Sequence, residues 1–116
     1  MKTRVIITSI VLMPLLLTLW SVAPTAVFAQ PATTQVVAWG GNSKGQADVP
    51  VGLTDAIAVS AGYEHSVALR ANGTVVVWGS DDYGQQQVPE GLSGVVAVSA
   101  GGNNTLALKG DGTVVA

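Results

Sequence analysis

The sequence repeats itself. Trp39-Gly40 recurs as Trp78-Gly79, Gly45-Gln46 as Gly84-Gln85 and Val49-Pro50 as Val88-Pro89, all at an offset of 39 residues. The same offset carries Gly52-Leu53 onto Gly91-Leu92 and Gly73-Thr74-Val75-Val76 onto Gly112-Thr113-Val114-Val115. It also carries Ala58-Val59-Ser60-Ala61-Gly62 onto Ala97-Val98-Ser99-Ala100-Gly101. A period of about 20–50 residues marks an array of small units, each covering a face its neighbour cannot bury alone. The chain is therefore a solenoid or a propeller.

Within one period the pattern is β throughout. Val36 to Trp39 reads as a short strand, followed by a polar, Gly-rich loop from Gly40 to Gln46. Val49-Pro50 and Gly52 make a bend, because proline cannot donate to a ladder. Ala56 to Ala61 is a second strand with apolar or small residues on both faces, which predicts cover on both sides. His65 to Arg70 is a third strand, and Thr74 to Trp78 a fourth that opens the next repeat. Asn72-Gly73 between them supplies the positive φ that a two-residue hairpin turn needs. Four short strands per period predict an all-β, partial β-propeller with about two four-stranded blades.

The start of the chain is an address. Lys2 and Arg4 precede an uncharged run from Val5 to Ala23, and Val27-Phe28-Ala29 places small residues at the minus-three and minus-one positions of a cut before Gln30. That is the layout of a secretory signal peptide. It partitions the chain into a signal peptide over 1–29, a linker over 30–35 and repeats over 36–116, the first over 36–74 and the second over 75–116. The expected location is outside the cell or on its surface. The alternative is a membrane anchor made of residues 5–23, which are just long enough to span a bilayer.

Composition removes several functions. With 5 Lys+Arg against 7 Asp+Glu there is no basic stripe for nucleic acid. The chain has no Cys and a single His, so thiolate chemistry and His-rich metal or catalytic clusters are excluded. His65 has no Ser or Cys in a nucleophile motif to serve, so it reads as a structural His bonding a neighbouring loop. Asp81-Asp82 lacks the alternating acidic ligands of a calcium loop. No cofactor, no metal and no catalytic residue is expected.

The residues also resemble a known family. Val59-Ser60-Ala61-Gly62-Tyr63-Glu64-His65-Ser66-Val67-Ala68-Leu69 is similar to the signature of repeats named for the regulator of chromosome condensation. Trp39 to Gln46 supplies the second half of that signature, and the second copy departs from it with Asn104 in the His position and Ser80-Asp81 for Gly41-Asn42. The resemblance implies a seven-bladed propeller and a non-catalytic scaffold that recognises a protein or other ligand through loops on one face. The short period and the signal peptide make the chain more similar to secreted bacterial members, one of which is a β-lactamase inhibitor. A structural segment of a longer cell-surface protein is the competing reading.

Tyr63, Glu64, Asp81, Asp82, Tyr83 and Asn103 are the candidate partner-binding residues, because exposed aromatics flanked by carboxylates make contact anchors. Trp39, Trp78, His65, Gly62 and Gly101 are expected to be structural, since all but His65 recur at the repeat period. About two repeats leave sheet faces and edges open. A protein partner, the chain's own further repeats, a truncated gene product or self-association into a ring would each answer that deficit.

Overall fold

The computed structural model describes residues 32–116. The expected signal peptide, its cut at Ala29 and the first two residues of the linker lie outside the described residues. Every regular element within them is a strand: β1 (Ala56–Ala61), β2 (His65–Arg70), β3 (Val75–Gly79), β4 (Val95–Ala100), β5 (Thr105–Lys109) and β6 (Val114–Val115). They form two antiparallel three-stranded sheets, β1-β2-β3 and β4-β5-β6. These are two partial propeller blades. The first spans the sequence repeat boundary at residue 74, because β3 pairs with β2 rather than with anything after it.

Each sheet is a meander because its connections are short and locally satisfied. The expected two-residue turn at Asn72-Gly73 is instead a three-residue loop. Gly73 N–H donates to the Arg70 carbonyl at 2.9 Å, and Arg70 N–H donates to the Thr74 carbonyl at 2.9 Å. Gly73 has a φ of 80° while, among the described residues, none other than glycine has a positive φ, so Asn72 stays out of the left-handed region. Asn72 acts through its side chain: Oδ1 accepts from Thr74 N–H at 3.1 Å and from Thr74 Oγ1 at 2.6 Å. Asp111 does the same for Thr113 at 3.0 and 2.6 Å. This is a tight turn followed by a left-handed glycine, whose lack of Cβ makes the conformation cheap.

The central strand β2 is the one buried on both faces. Val67, Ala68 and Leu69 are all at most 1% exposed. Leu69 joins Val95 and Ala107 on the side that meets the second sheet. Ala68 joins Leu53, Ala56 and Trp78 on the other. β1 was expected to have this double cover and does not: Ile57 is 63% and Val59 59% exposed. Its alternating small residues fit a covered strand, but β1 is the edge strand of its sheet, and what lies beside it leaves Ile57 and Val59 uncovered.

Two further expectations are corrected. Val36 to Trp39 forms no ladder, so each described sheet has three strands rather than four. Trp39 is 86% exposed and anchors nothing, whereas Trp78 is 8% exposed. The reason is one of address. Trp78 Nε1 donates to the Gln46 carbonyl at 2.9 Å, and its ring packs in a cluster with Leu53, Ala56 and Ala68. All of these lie in the repeat before it. The equivalents for Trp39, one period earlier, would be residues 7, 14, 17 and 29, outside the described residues.

This asymmetry predicts unequal stability losses. Trp78→Ala should destabilise by about 3–5 kcal/mol, the range for large aromatic truncations in a core. Trp39→Ala and Tyr83→Ala should each stay within about 0.5 kcal/mol, as for exposed positions. Chemical denaturation of the three variants beside the parent checks this, and an equal loss at Trp39 and Trp78 would contradict the packing described.

Candidate functional site

The loops that follow β1, β3 and β4 all emerge at the same end of the two sheets and are tied together there. Ser80 N–H donates to the Glu64 carbonyl at 2.8 Å, and Tyr63 N–H donates to the Gly102 carbonyl at 3.3 Å. All six candidate partner-binding residues therefore share one end of the molecule. Tyr63 is 84% and Tyr83 74% exposed. Asp81, Asp82 and Asn103 are exposed and Glu64 is half-buried.

The six do not all have free side chains. Asp81 Oδ1 accepts from Gln86 N–H at 2.9 Å, as Asn42 Oδ1 accepts from Ala47 N–H at 2.8 Å one period earlier. Asp81 is thus a loop-former, and the Asn-to-Asp change keeps the acceptor. Asp82 is bridged at 2.7 Å by Lys44 from the loop of the first repeat. That hydrogen bond and charge hold the Asp82 carboxyl below its ordinary range and raise the Lys44 ammonium above its own. Both groups are exposed, so the bridge sets the local charge pattern more than the stability. Lys44 also feels Glu64 and Tyr83, which makes it a member of this face that sequence reasoning missed. Its offset from Asp82 is one short of the repeat period, so the periodicity carried no signal for it.

Behind the face lies a buried polar seam that joins the sheets. His65 is 1% exposed, and its Nε2 lies 3.0 Å from the Thr105 hydroxyl on β5. Thr105 Oγ1 in turn donates to the Gln85 carbonyl at 3.1 Å. With the hydroxyl proton used there, Nε2 carries the imidazole proton and donates to the hydroxyl. Nδ1 is buried without a partner among the described residues. A Cβ added at Gly62 would lie 2.6 Å from Nδ1 and 2.5 Å from the Gly101 carbonyl, so the glycine is required by the imidazole seated against it. In the second repeat a Cβ at Gly101 would collide with Asn104 Oδ1. The glycine and the polar residue three positions later are a matched pair in both copies.

Thr105 and Ser66 were not singled out in the sequence, yet they are equivalent. Ser66 Oγ donates to the Gln46 carbonyl at 2.9 Å, as Thr105 does to that of Gln85. A small hydroxyl residue at the same place in each repeat was the available signal. Among the described residues no group of three or more His, Asp or Glu is placed to hold a metal ion.

Burial lowers the His65 pKa below its ordinary 6.5, partly opposed by the Asn104 backbone. Between that lowered value and 6.5 the unfolded chain binds more protons than the folded one. Stability is therefore fully present above 6.5 and falls as pH drops through this window. Denaturation midpoints measured from pH 7.5 down to 5 should decline, and His65→Asn, which copies the second repeat, should flatten the decline. His65 is the sole histidine, so a slope that persists in His65→Asn would contradict its neutral, buried state.

Residues 56–85 match the family model for the Regulator of chromosome condensation (RCC1) repeat. The match runs from the first residue of β1 to Gln85, whose carbonyl receives the Thr105 hydroxyl. No curated protein matches the chain. The matched segment contains the whole first sheet, the Gly62–His65 pair and the Trp78 anchor, and over these residues the chain is similar to that repeat.

Proposed function

We propose that this protein is a secreted, non-catalytic recognition scaffold that binds a protein partner through the loop end of its sheets. An RCC1-like repeat suggests a propeller-type protein-interaction scaffold, and such repeat proteins are generally non-catalytic. The observation that carries the finer reading is the pair of exposed tyrosines, Tyr63 and Tyr83, on loops held by buried or closed hydrogen bonds. Tyr83 N–H donates to Gln85 Oε1 at 2.9 Å, so its backbone is preset. Rigid aromatics lose little entropy when they are covered, which is why they serve as contact anchors. Glu64, Asp81 and Asp82 beside them, with Lys44 as the local cation, favour a partner surface of mixed charge with a net basic patch.

Quantitative affinity capture should retain partners on the parent protein that are lost with Tyr63→Ala/Tyr83→Ala and kept with Glu90→Ala, an exposed position in the turn before β4. Equal retention by all three would sink the loop-end assignment. Secretion has its own readout: the mature protein should begin at Gln30, with its N-terminal mass measured on material from the medium. An intact N-terminus on membrane-associated protein would point to the anchor over residues 5–23.

A further inference from the structure

One buried ring reaches both tyrosine loops. The His65 imidazole stands at the start of β2 and is 1% exposed. On one edge its Nε2 lies 3.0 Å from the Thr105 hydroxyl, which donates on to the Gln85 carbonyl at 3.1 Å. Gln85 is itself buried and closes the Tyr83 loop, because its Oε1 accepts from Tyr83 N–H at 2.9 Å. On the other edge Nδ1 faces Gly62, where an added Cβ would lie 2.6 Å away, and it has no hydrogen-bond partner among the described residues. Gly62 opens the three-residue loop between β1 and β2 that carries Tyr63.

The two edges respond differently to a proton. The neutral ring donates from Nε2 and leaves a lone pair unused at Nδ1. Protonation adds an N–H at Nδ1 and a full charge, while the donation from Nε2 to Thr105 is unchanged. The Tyr83 side therefore keeps its bond. At Nδ1 a buried, unpaired cationic donor costs far more than an unused lone pair, so water has to be let in. The segment in the way is Gly62-Tyr63-Glu64, and it is lightly held. Gly62 N–H donates to the His65 carbonyl at 2.8 Å and Ser80 N–H to the Glu64 carbonyl at 2.8 Å, but the Tyr63 N–H bond to the Gly102 carbonyl is 3.3 Å long.

The elements packed on the ring bring it no counter-charge. β1, β3 and β4 carry no ionisable side chain, and Arg70 and Lys109 close the far ends of β2 and β5. Glu64 beside His65, the Tyr63 and Tyr83 phenols, Asp81, Asp82 and Lys44 are the ionisable groups of the surrounding loops. None of them shifts the ring, whose lowered pKa comes from burial, opposed by the Asn104 backbone.

We propose that His65 is a positioning residue for the recognition face and acts as an acid-operated latch. While neutral it holds the Tyr63 loop closed, and protonation at Nδ1 releases Tyr63 while Tyr83 stays in place. This rests on the reading of the two tyrosines as contact anchors and adds its regulation: a partner held near neutral pH is let go as the pH falls. With the loop open the ring regains its ordinary 6.5. The closed state is thus fully favoured above 6.5 and loses about tenfold per pH unit below it, down to the lowered value of the closed state. The second repeat has no such latch, because Asn104 occupies the equivalent position and does not titrate.

Nuclear magnetic resonance of the full chain from pH 7.5 to 5 reads the latch without any partner. The His65 ring should titrate below 6.5, and amide protection at Gly62 and Tyr63, relative to an unstructured peptide at the same pH, should fall with the same midpoint. Protection at Tyr83 and Thr105 should persist until the whole domain unfolds. His65→Gln, which keeps a donor for Thr105 but stays uncharged, should remove the step at Tyr63, whereas Glu64→Gln should leave it. The parent alone also decides, since its ring and its amides are followed in one sample. A ring that titrates with Tyr63 still protected would mean that Nδ1–H has found a buried acceptor, and would overturn the latch. A ring that stays neutral until unfolding, loss of Tyr63 and Tyr83 together, or a step that survives in His65→Gln would do the same. A step at Tyr63 beside affinity capture that is unchanged across the same pH range would keep the latch and overturn the role of Tyr63 in recognition.

Discussion

The loop carbonyl of the Trp-Gly…Gly-Gln segment holds each repeat together. In the first repeat the Gln46 carbonyl accepts the Ser66 hydroxyl and the Trp78 indole N–H, both at 2.9 Å. One acceptor thus ties a loop, the central strand β2 and the following strand β3 to a single point. A buried carbonyl left unsatisfied is costly, so the loop cannot relax away without exposing the apolar cluster beneath Trp78. The Gln85 carbonyl does the same work for the second repeat through Thr105, and there the seam extends back to His65 on the first sheet.

That arrangement explains why the sheets need each other. β2 is buried on both sides because Leu69 packs with Val95 and Ala107 of the second sheet while Ala68 packs with Trp78 and Leu53. The Leu69 side could not be covered by the first sheet alone. His65 adds a directional bond to this contact, and Ala100 N–H adds another by donating to Ser60 Oγ at 3.0 Å. The same bonds position the outer loops, since the backbone of Tyr63 is tied to Gly102 and that of Ser80 to Glu64. The candidate recognition face is therefore rigid for the same reason that the core is packed.

The array also has a polarity. Trp78, on β3, packs with Leu53 and Ala68 of the repeat before it and donates to the Gln46 carbonyl there. Repeat proteins bury their faces by stacking, and Trp78 is the link by which one repeat covers the other.

Much of this was legible in the residues. The 39-residue period, the all-β pattern, the strands Ala56–Ala61 and His65–Arg70, and the turn glycines follow from spacing and local chemistry alone. Glycine at a positive φ and Asn or Asp two residues before Thr act within a few residues of chain, so they are written in the sequence. The burial of Trp78 was not, because Trp39 and Trp78 share the same Val-Val-x-Trp-Gly context, and what buries Trp78 is Leu53, Ala56 and Ala68, distant in sequence. The double cover moved from β1 to β2 for a related reason: small residues permit burial, but a neighbour must supply it. Local sequence determined which conformations each segment could adopt, and only tertiary contact decided which surfaces were left for solvent, since burial belongs to a pair of surfaces rather than to one.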